Sequence, residues 1–149
     1  MSSKIVITIS VVCTLLILAC KKKDNTTNNS NANNAQTTGF YYAENGNVNY
    51  TKADSAFANR QFKTIIAQVN GATVVEFVVP DLTVGDYALN TRYAFTYVKD
   101  NSHWEATAGT LKITANDGQK ISGTYEATSG SGVSGVNKVS GYFNDVPLK

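Results

Sequence analysis

Few side chains in this 149-residue sequence could do chemistry, because it has two cysteines and one histidine. Cys20 closes the segment Ile17-Leu18-Ala19-Cys20, and three lysines follow it directly. The segment resembles a lipobox, the site at which bacteria acylate a cysteine thiol and cleave the chain just before it. We therefore expect signal cleavage after Ala19 and lipid attachment at Cys20.

The residues before Cys20 have the order of a secretory signal, because Lys4 is the only charge before the apolar run 5–19. The run is shorter than the roughly 20 apolar residues that a membrane-spanning helix needs. Cys13 lies inside the run behind the bulky Val12 and is the poorer acceptor. Ile17 and Leu18 depart from the usual lipobox, so an uncleaved anchor and a signal peptide without lipid remain as alternatives.

Cleavage would leave Cys20 as the last cysteine of the chain. An internal disulfide and a cysteine-based metal site are then excluded, and acylation removes a thiol that would be exposed in an oxidising compartment. The sequence predicts neither a cofactor nor a metal ion.

The next segment, residues 21–38, reads KKKDNTTNNSNANNAQTT and has no aromatic residue and no aliphatic residue larger than Ala. It cannot bury enough apolar surface to offset the entropy of ordering. We predict a disordered tether. The expected organisation is a signal peptide at 1–19, a lipidated cysteine and tether at 20–38, and one domain at 39–149.

From Gly39 onward, short runs rich in Val, Ile, Thr, Tyr and Phe are broken by Gly and Asn, which is typical of strands. Asn45-Gly46 and Asn70-Gly71 predict two-residue hairpin turns, and Asn116-Asp117-Gly118 predicts a third. Lys52–Arg60 is the only segment with helical character. The sequence predicts an all-β domain of about eight strands, built as a single antiparallel β-sandwich or barrel.

Alternation along each run predicts which side chains face the core. The predicted inward residues are Val75, Phe77 and Val79; Tyr93, Phe95 and Tyr97; Leu111 and Ile113; Ile121, Gly123 and Tyr125; and Val139, Gly141 and Phe143. Trp104 falls on an inward face with Ala106 and Ala108, while His103 faces outward. Leu111 has the opposite parity from Trp104, so we expect a break between strands at Gly109.

No residue set predicts an enzyme. His103 has no serine nearby at nucleophile-elbow spacing. The acids lie singly on turns and outward positions: Asp81, Asp86, Asp100, Asp117 and Asp145. Asn116-Asp117-Gly118 lacks the further ligands of a calcium loop, and Gly130–Gly135 lacks the lysine of a phosphate loop, so that we interpret it as a flexible hairpin loop. Basic residues are spread singly, which excludes nucleic acid as an expected partner.

Several short motifs resemble one family. Gly109-Thr110, Ile121-Ser122-Gly123-Thr124, Gly141-Tyr142-Phe143 and the turn Gly85-Asp86-Tyr87 are similar to motifs of small lipoproteins of Bacteroidetes-type bacteria, as is a cysteine followed by Lys and Asp. The resemblance implies a β-rich surface or periplasmic lipoprotein with no assigned reaction.

Together these patterns predict an envelope lipoprotein, held through its lipid at the outer membrane, with its face undetermined. The first expectation is a binding module for a glycan or another envelope protein. A structural envelope lipoprotein without a small ligand is the alternative, and a small hydrolase comes last. An exposed aromatic row would favour glycan binding, a long unpaired edge strand would favour strand addition, and a pocket gathering two acids would favour a hydrolase.

Overall fold

The computed structural model describes residues 37–90 and 94–149. The predicted signal peptide, Ala19, Cys20, most of the tether and Tyr93 lie outside these ranges. None of the described segments is a helix capable of crossing a membrane.

The described residues form eleven strands and no helix. The strands are β1 Gly39–Glu44, β2 Thr51–Lys52, β3 Ser55–Asn59, β4 Thr64–Val69, β5 Ala72–Val78, β6 Gly85–Ala88, β7 Phe95–Lys99, β8 Ser102–Glu105, β9 Ala108–Asn116, β10 Lys120–Val133 and β11 Val136–Pro147. The excess over the predicted eight comes mainly from short elements such as β2, which has two residues.

Two antiparallel sheets pack face to face, which confirms the sandwich and excludes the closed barrel. Sheet A has the order β2-β1-β11-β10-β9-β6, and sheet B has the order β3-β4-β5-β7-β8. Sheet A therefore joins the first strand of the domain to the last, with Phe40 opposite Phe143.

The core lies between the sheets and is formed by the side chains that alternation predicts. Val75 and Phe77 from sheet B and Leu111 and Ile113 from sheet A have no exposed surface. Aromatic rings fill the centre: the Phe77 ring contacts both Phe95 and Tyr125, with ring centroids 5.0 Å apart in each pair. Burying this apolar face of each sheet is what drives the sheets together.

Two of the three predicted hairpins are confirmed. Asn45-Gly46 forms a turn, but it does not join two strands as a two-residue hairpin, because β1 pairs with β2 only from Tyr42↔Thr51 onward. Asn70 and Gly71 have φ of 52° and 78° and close the β4–β5 hairpin, and Asn45 and Gly46 have φ of 51° and 76°. Positive φ at both central positions is the requirement that favours Asn-Gly in such turns. Asn116-Asp117-Gly118 joins β9 to β10, where the Asp117 amide donates to the Lys120 carbonyl oxygen.

The helical interpretation of Lys52–Arg60 is wrong. Lys52 ends β2, and Ser55–Asn59 forms β3, which pairs with β4 from Ser55↔Gln68 to Asn59↔Thr64. Ala53 and Ala58 are buried there. Packing and strand pairing override the helix propensity of alanine. The interpretation of Gly130–Gly135 as a loop is also too broad, because β10 continues to Val133 and the turn is Ser134-Gly135 alone.

Trp104 is buried, as predicted, with 4% of its surface exposed. Ala106 is buried too, but Ala108 is exposed, so the prediction that Ala108 shares this inward face is wrong. The chain leaves sheet B after Glu105 and enters sheet A at Ala108, so the break lies at residues 106–107, just before the predicted Gly109. His103 is exposed, as predicted.

Candidate functional site

One row of side chains crosses the outer face of sheet A from edge to edge. Its members are opposite one another in the strand register: Lys52, Tyr41, Tyr142, Thr124, Lys112 and Asp86. We call this set the outer row. Strands are about 4.8 Å apart, so five spacings make the row roughly 24 Å long.

Tyrosines form one half of the outer row. The rings of Tyr41 and Tyr142 stack with centroids 4.7 Å apart and planes 14° apart. Tyr50, which precedes β2, meets Tyr142 edge-on at 5.3 Å and is 44% exposed. The Lys52 ammonium lies 5.7 Å from the centroid of the Tyr41 ring. The stack is partly exposed and combines aromatic faces with a cation.

The tyrosines point outward because their neighbours point inward. Phe40 and Phe143 stack in the core at 5.9 Å, so Tyr41 and Tyr142, one residue away on each strand, reach the opposite face. Burial, and then the nearby Tyr41, raise the pKa of Tyr142. The Tyr142 hydroxyl group therefore stays protonated at neutral pH and can donate a hydrogen bond.

Gly141 allows a core side chain to contact the backbone beneath the tyrosine stack. A β-carbon at Gly141 would lie 2.0 Å from the Tyr41 carbonyl oxygen and 2.7 Å from the Tyr125 hydroxyl oxygen. Because Gly141 leaves that space empty, the buried Tyr125 hydroxyl reaches Tyr41 and donates to its carbonyl oxygen over 3.3 Å. Burial raises the pKa of Tyr125 well above its ordinary value, so this donor keeps its proton.

Polar side chains form the other half of the outer row. The Lys112 ammonium lies 4.0 Å from an Asp86 carboxylate oxygen, and both side chains are exposed. A shallow depression of about 400 Å³ opens beside them, with Thr110, Thr124 and Glu126 in its lining. These groups leave hydroxyl, ammonium and carboxylate functions available to a ligand.

The two halves suit different parts of one kind of ligand. Tyrosine faces carry negative π density and attract weakly positive C–H groups, while the polar half offers donors and acceptors to hydroxyl groups. The outer row can therefore bind a molecule whose rings have C–H bonds on their faces and hydroxyls around their rims.

The residues singled out in the sequence do not assemble into a catalytic centre. His103 lies exposed on the edge strand β8, and the acids stay on separate turns and strands. Within residues 37–90 and 94–149, no group of three or more His, Cys, Asp or Glu side chains could hold a metal ion. Buried Trp104 takes no part in the outer surface.

A second polar cluster joins the two sheets. The Glu44 carboxylate, from β1, accepts hydrogen bonds from the Tyr97 hydroxyl and, over 2.7 Å, from the Lys99 ammonium, both from β7. Burial opposes ionisation, but these two donors hold the pKa of Glu44 below its ordinary value. Burial and the Glu44 hydrogen bond raise the pKa of Tyr97. A general acid needs a raised carboxyl pKa, so the lowered pKa of Glu44 does not suit it to acid catalysis. Its hydrogen bonds to Tyr97 and Lys99 instead link the two sheets.

Sequence reasoning missed the two tyrosines of the outer row, and Tyr50 beside them. Alternation could have placed Tyr142 outward, since Gly141 and Phe143 were predicted to face inward. Nothing in the sequence shows that Tyr41 lies opposite Tyr142, because they come from the first and last strands of the domain. No protein family, curated protein or solved structure matches the chain.

Proposed function

We propose that this domain is a glycan-binding module, held at a bacterial cell envelope by lipid on Cys20. The observation that carries the proposal is the outer row, in which a stacked tyrosine pair continues into Thr124, Lys112 and Asp86 across one face of sheet A. A row of roughly 24 Å suits a chain of several sugar units lying across the strands.

The chemistry of the row supports this choice over a purely apolar ligand. The partly exposed tyrosine rings would stack on sugar rings, and their hydroxyls, with those of the polar half, would bond to the sugar hydroxyls. Hydrogen bonds to charged groups such as Lys112 and Asp86 are stronger than those between neutral groups, and they would orient the glycan chain.

The short edge strands of both sheets do not favour assembly by strand addition. The edge strands β2, β6, β3 and β8 have two, four, five and four residues. The end of β3 is partly occupied already, because the Lys149 amide donates to the Ala58 carbonyl oxygen and the Arg60 amide donates to Lys149. Short or covered edges offer little backbone to an incoming strand.

Glycan pull-down tests the binding function. Full-length protein is incubated with insoluble cell-wall and capsular polysaccharides, and the bound fraction is measured for wild type, Tyr142→Ala and Tyr41→Ala. Loss of either ring should weaken binding at least tenfold, about 1.4 kcal/mol, because truncating a central aromatic contact commonly costs that much.

Phe57→Ala is the matched control. Phe57 is a partly exposed ring on sheet B and, like Tyr41, carries a lysine ammonium over its face, with Lys149 Nζ 4.6 Å from the centroid. The Phe57→Ala variant should bind glycan as wild type does. Equal losses of glycan binding in all three variants, or retention of any glycan by both tyrosine variants, would refute the proposal.

The anchor has its own test. Cys20→Ala should leave an unprocessed precursor that migrates more slowly, and intact mass should show a wild-type chain that begins at Cys20 and carries acyl groups. A mature chain that begins elsewhere, or that bears no acyl group, would refute the lipid anchor. Protease shaving of whole cells shows which face the domain occupies.

A further inference from the structure

A cleft of about 240 Å³ lies among the β3–β4 and β5–β6 loops, the β9–β10 turn and the end of the chain. Its lining includes Arg60, Lys63, Asp81, Leu82 and Leu148. None of these residues belongs to the outer row. The volume is below the roughly 300–1,000 Å³ of sites for drug-sized ligands, so a ligand of this cleft would be small.

Two cations in the cleft, Arg60 and Lys63, form no ion pair within residues 37–90 and 94–149. In the part of the chain that the structure describes, the ion pairs join Lys99 to Glu44, Lys112 to Asp86 and Lys138 to Glu126. Neither Arg60 nor Lys63 takes part. Asp81 also lines the cleft, but one of its oxygens accepts the Leu82 amide over 2.6 Å. The charges of the three ionisable side chains in the lining sum to one positive charge.

Lys63 also occupies an unfavourable backbone conformation. Its φ is 55°, in the left-handed region, where glycine and asparagine are favoured. Of the seven non-glycine residues with positive φ among those described, five are Asn or Asp and one is Ser; Lys63 alone has a long side chain. Lysine therefore carries backbone strain at this position that glycine or asparagine would avoid.

Two leucines make part of the cleft lining apolar. Leu82 is buried, and Leu148 packs against the core. The two loops that line the cleft also expose Phe62 and Val84, at 65% and 61%. A ligand that matches this lining has one negative group for Arg60 and Lys63 and a short apolar body for the leucines.

We propose that this cleft is a second binding site, which takes a small monocarboxylate through Arg60 and Lys63, with its hydrocarbon part against Leu82 and Leu148. Arg60 offers a planar pair of N–H donors to the carboxylate, and Lys63 adds a mobile point charge. Asp81 disfavours a dianion. The site is independent of the outer row, so either proposal can fail without the other.

The test uses full-length protein in non-ionic detergent, with butyrate, butyramide and inorganic phosphate as probes in ligand-observed NMR titrations. Butyrate should bind saturably, and Arg60→Gln and Lys63→Asn should each weaken it at least tenfold. Lys63→Asn should melt at or above the wild-type midpoint, because asparagine tolerates the left-handed conformation. Its loss of binding therefore could not be assigned to unfolding.

Lys120→Gln is the control, because Lys120 is an exposed lysine that begins β10 and does not line the cleft. It should bind butyrate as wild type does. Absence of saturable butyrate binding, full binding by Lys63→Asn, or equal binding of uncharged butyramide would each overturn the proposal. Tighter binding of phosphate than of butyrate would also overturn it, by removing the role of the two leucines.

Discussion

At the scale of single residues, the burial of Trp104 was predicted correctly from side-chain alternation. Its ring packs against Phe95 and Tyr97, at centroid distances of 5.5 and 5.8 Å. We predict that Trp104→Ala lowers the free energy of unfolding by about 3–5 kcal/mol, because it removes a large buried ring and leaves a cavity. Urea unfolding measures the loss. In wild type, tryptophan emission should be blue-shifted and resistant to iodide.

Trp104→Phe separates packing from polarity. The indole N–H of Trp104 is buried and has no hydrogen-bond acceptor in the described part of the structure. Phenylalanine keeps most of the ring and removes this unpaired donor. Trp104→Phe should therefore lower the free energy of unfolding clearly less than Trp104→Ala does. Equal losses in both variants, or red and readily quenched wild-type emission, would contradict the buried-core interpretation.

The Glu44 cluster predicts how stability depends on pH. A carboxyl whose pKa is lowered by folding contributes stability above its unfolded pKa, about 4.5, and loses it as pH falls through the folded value. Glu44→Gln should therefore cost about 1 kcal/mol at pH 7, after allowance for solvent screening, and less in acid. Urea unfolding at pH 7 and below pH 4.5 measures the difference.

Asp86→Asn provides the control for this pH dependence, since the Asp86 carboxylate is exposed and 4.0 Å from its lysine. Its stability should parallel that of wild type at both pH values. A constant difference between wild type and Glu44→Gln across the acid range would show that the carboxylate charge contributes nothing. Tyr97 and Lys99 determine how stability depends on alkaline pH. Folding raises the pKa of both groups, so stability should fall as the pH rises above 10.

At the scale of elements, Gly109 is constrained by the strand beside it. Its φ is 147°, and a β-carbon there would lie 2.2 Å from the Glu126 carbonyl oxygen. We predict that Gly109→Ala destabilises the domain by about 1–3 kcal/mol, because the backbone of β10 would have to move. Thermal and urea midpoints measure the effect.

Gly85→Ala is the comparison for Gly109, because a β-carbon at Gly85 meets nothing within 4 Å. It should stay within about 0.5 kcal/mol of wild type. If both alanine variants unfold at the wild-type midpoint, the close approach of β9 to β10 at Gly109 is not a constraint.

Strand identity was predictable because one face of each strand is buried and the other is exposed. This period of two placed Val75, Phe77, Leu111 and Ile113 correctly. It failed where the chain changes sheet, since Ala108 begins a new strand and no longer continues the alternation of Trp104. It also gave no signal at Lys52–Arg60, where alanines are compatible with both helix and strand.

At the scale of the whole molecule, the sandwich follows from many short half-buried strands, but the sheet order does not. Local patterns gave the β4–β5 and β9–β10 hairpins, whose partners are adjacent in sequence. The pairing of β1 with β11 is set by the global fit of two sheets around Phe40, Phe77 and Phe143. The outer row and the Arg60–Lys63 cleft both depend on such long-range contacts, so neither could be predicted from the sequence.

The tether is expected to add nothing to the stability of the domain. A chain that begins at Gly39 should unfold in one cooperative step at the midpoint of a chain that begins at Lys21, because residues 21–38 have almost no apolar surface to bury. Thr37 makes an exposed side-chain hydrogen bond to Tyr41. A chain that begins at Ala53 should fail to fold, since it lacks β1 and Phe40. A clearly lower midpoint for the Gly39 chain would mean that residues 28–38 pack on the sheet.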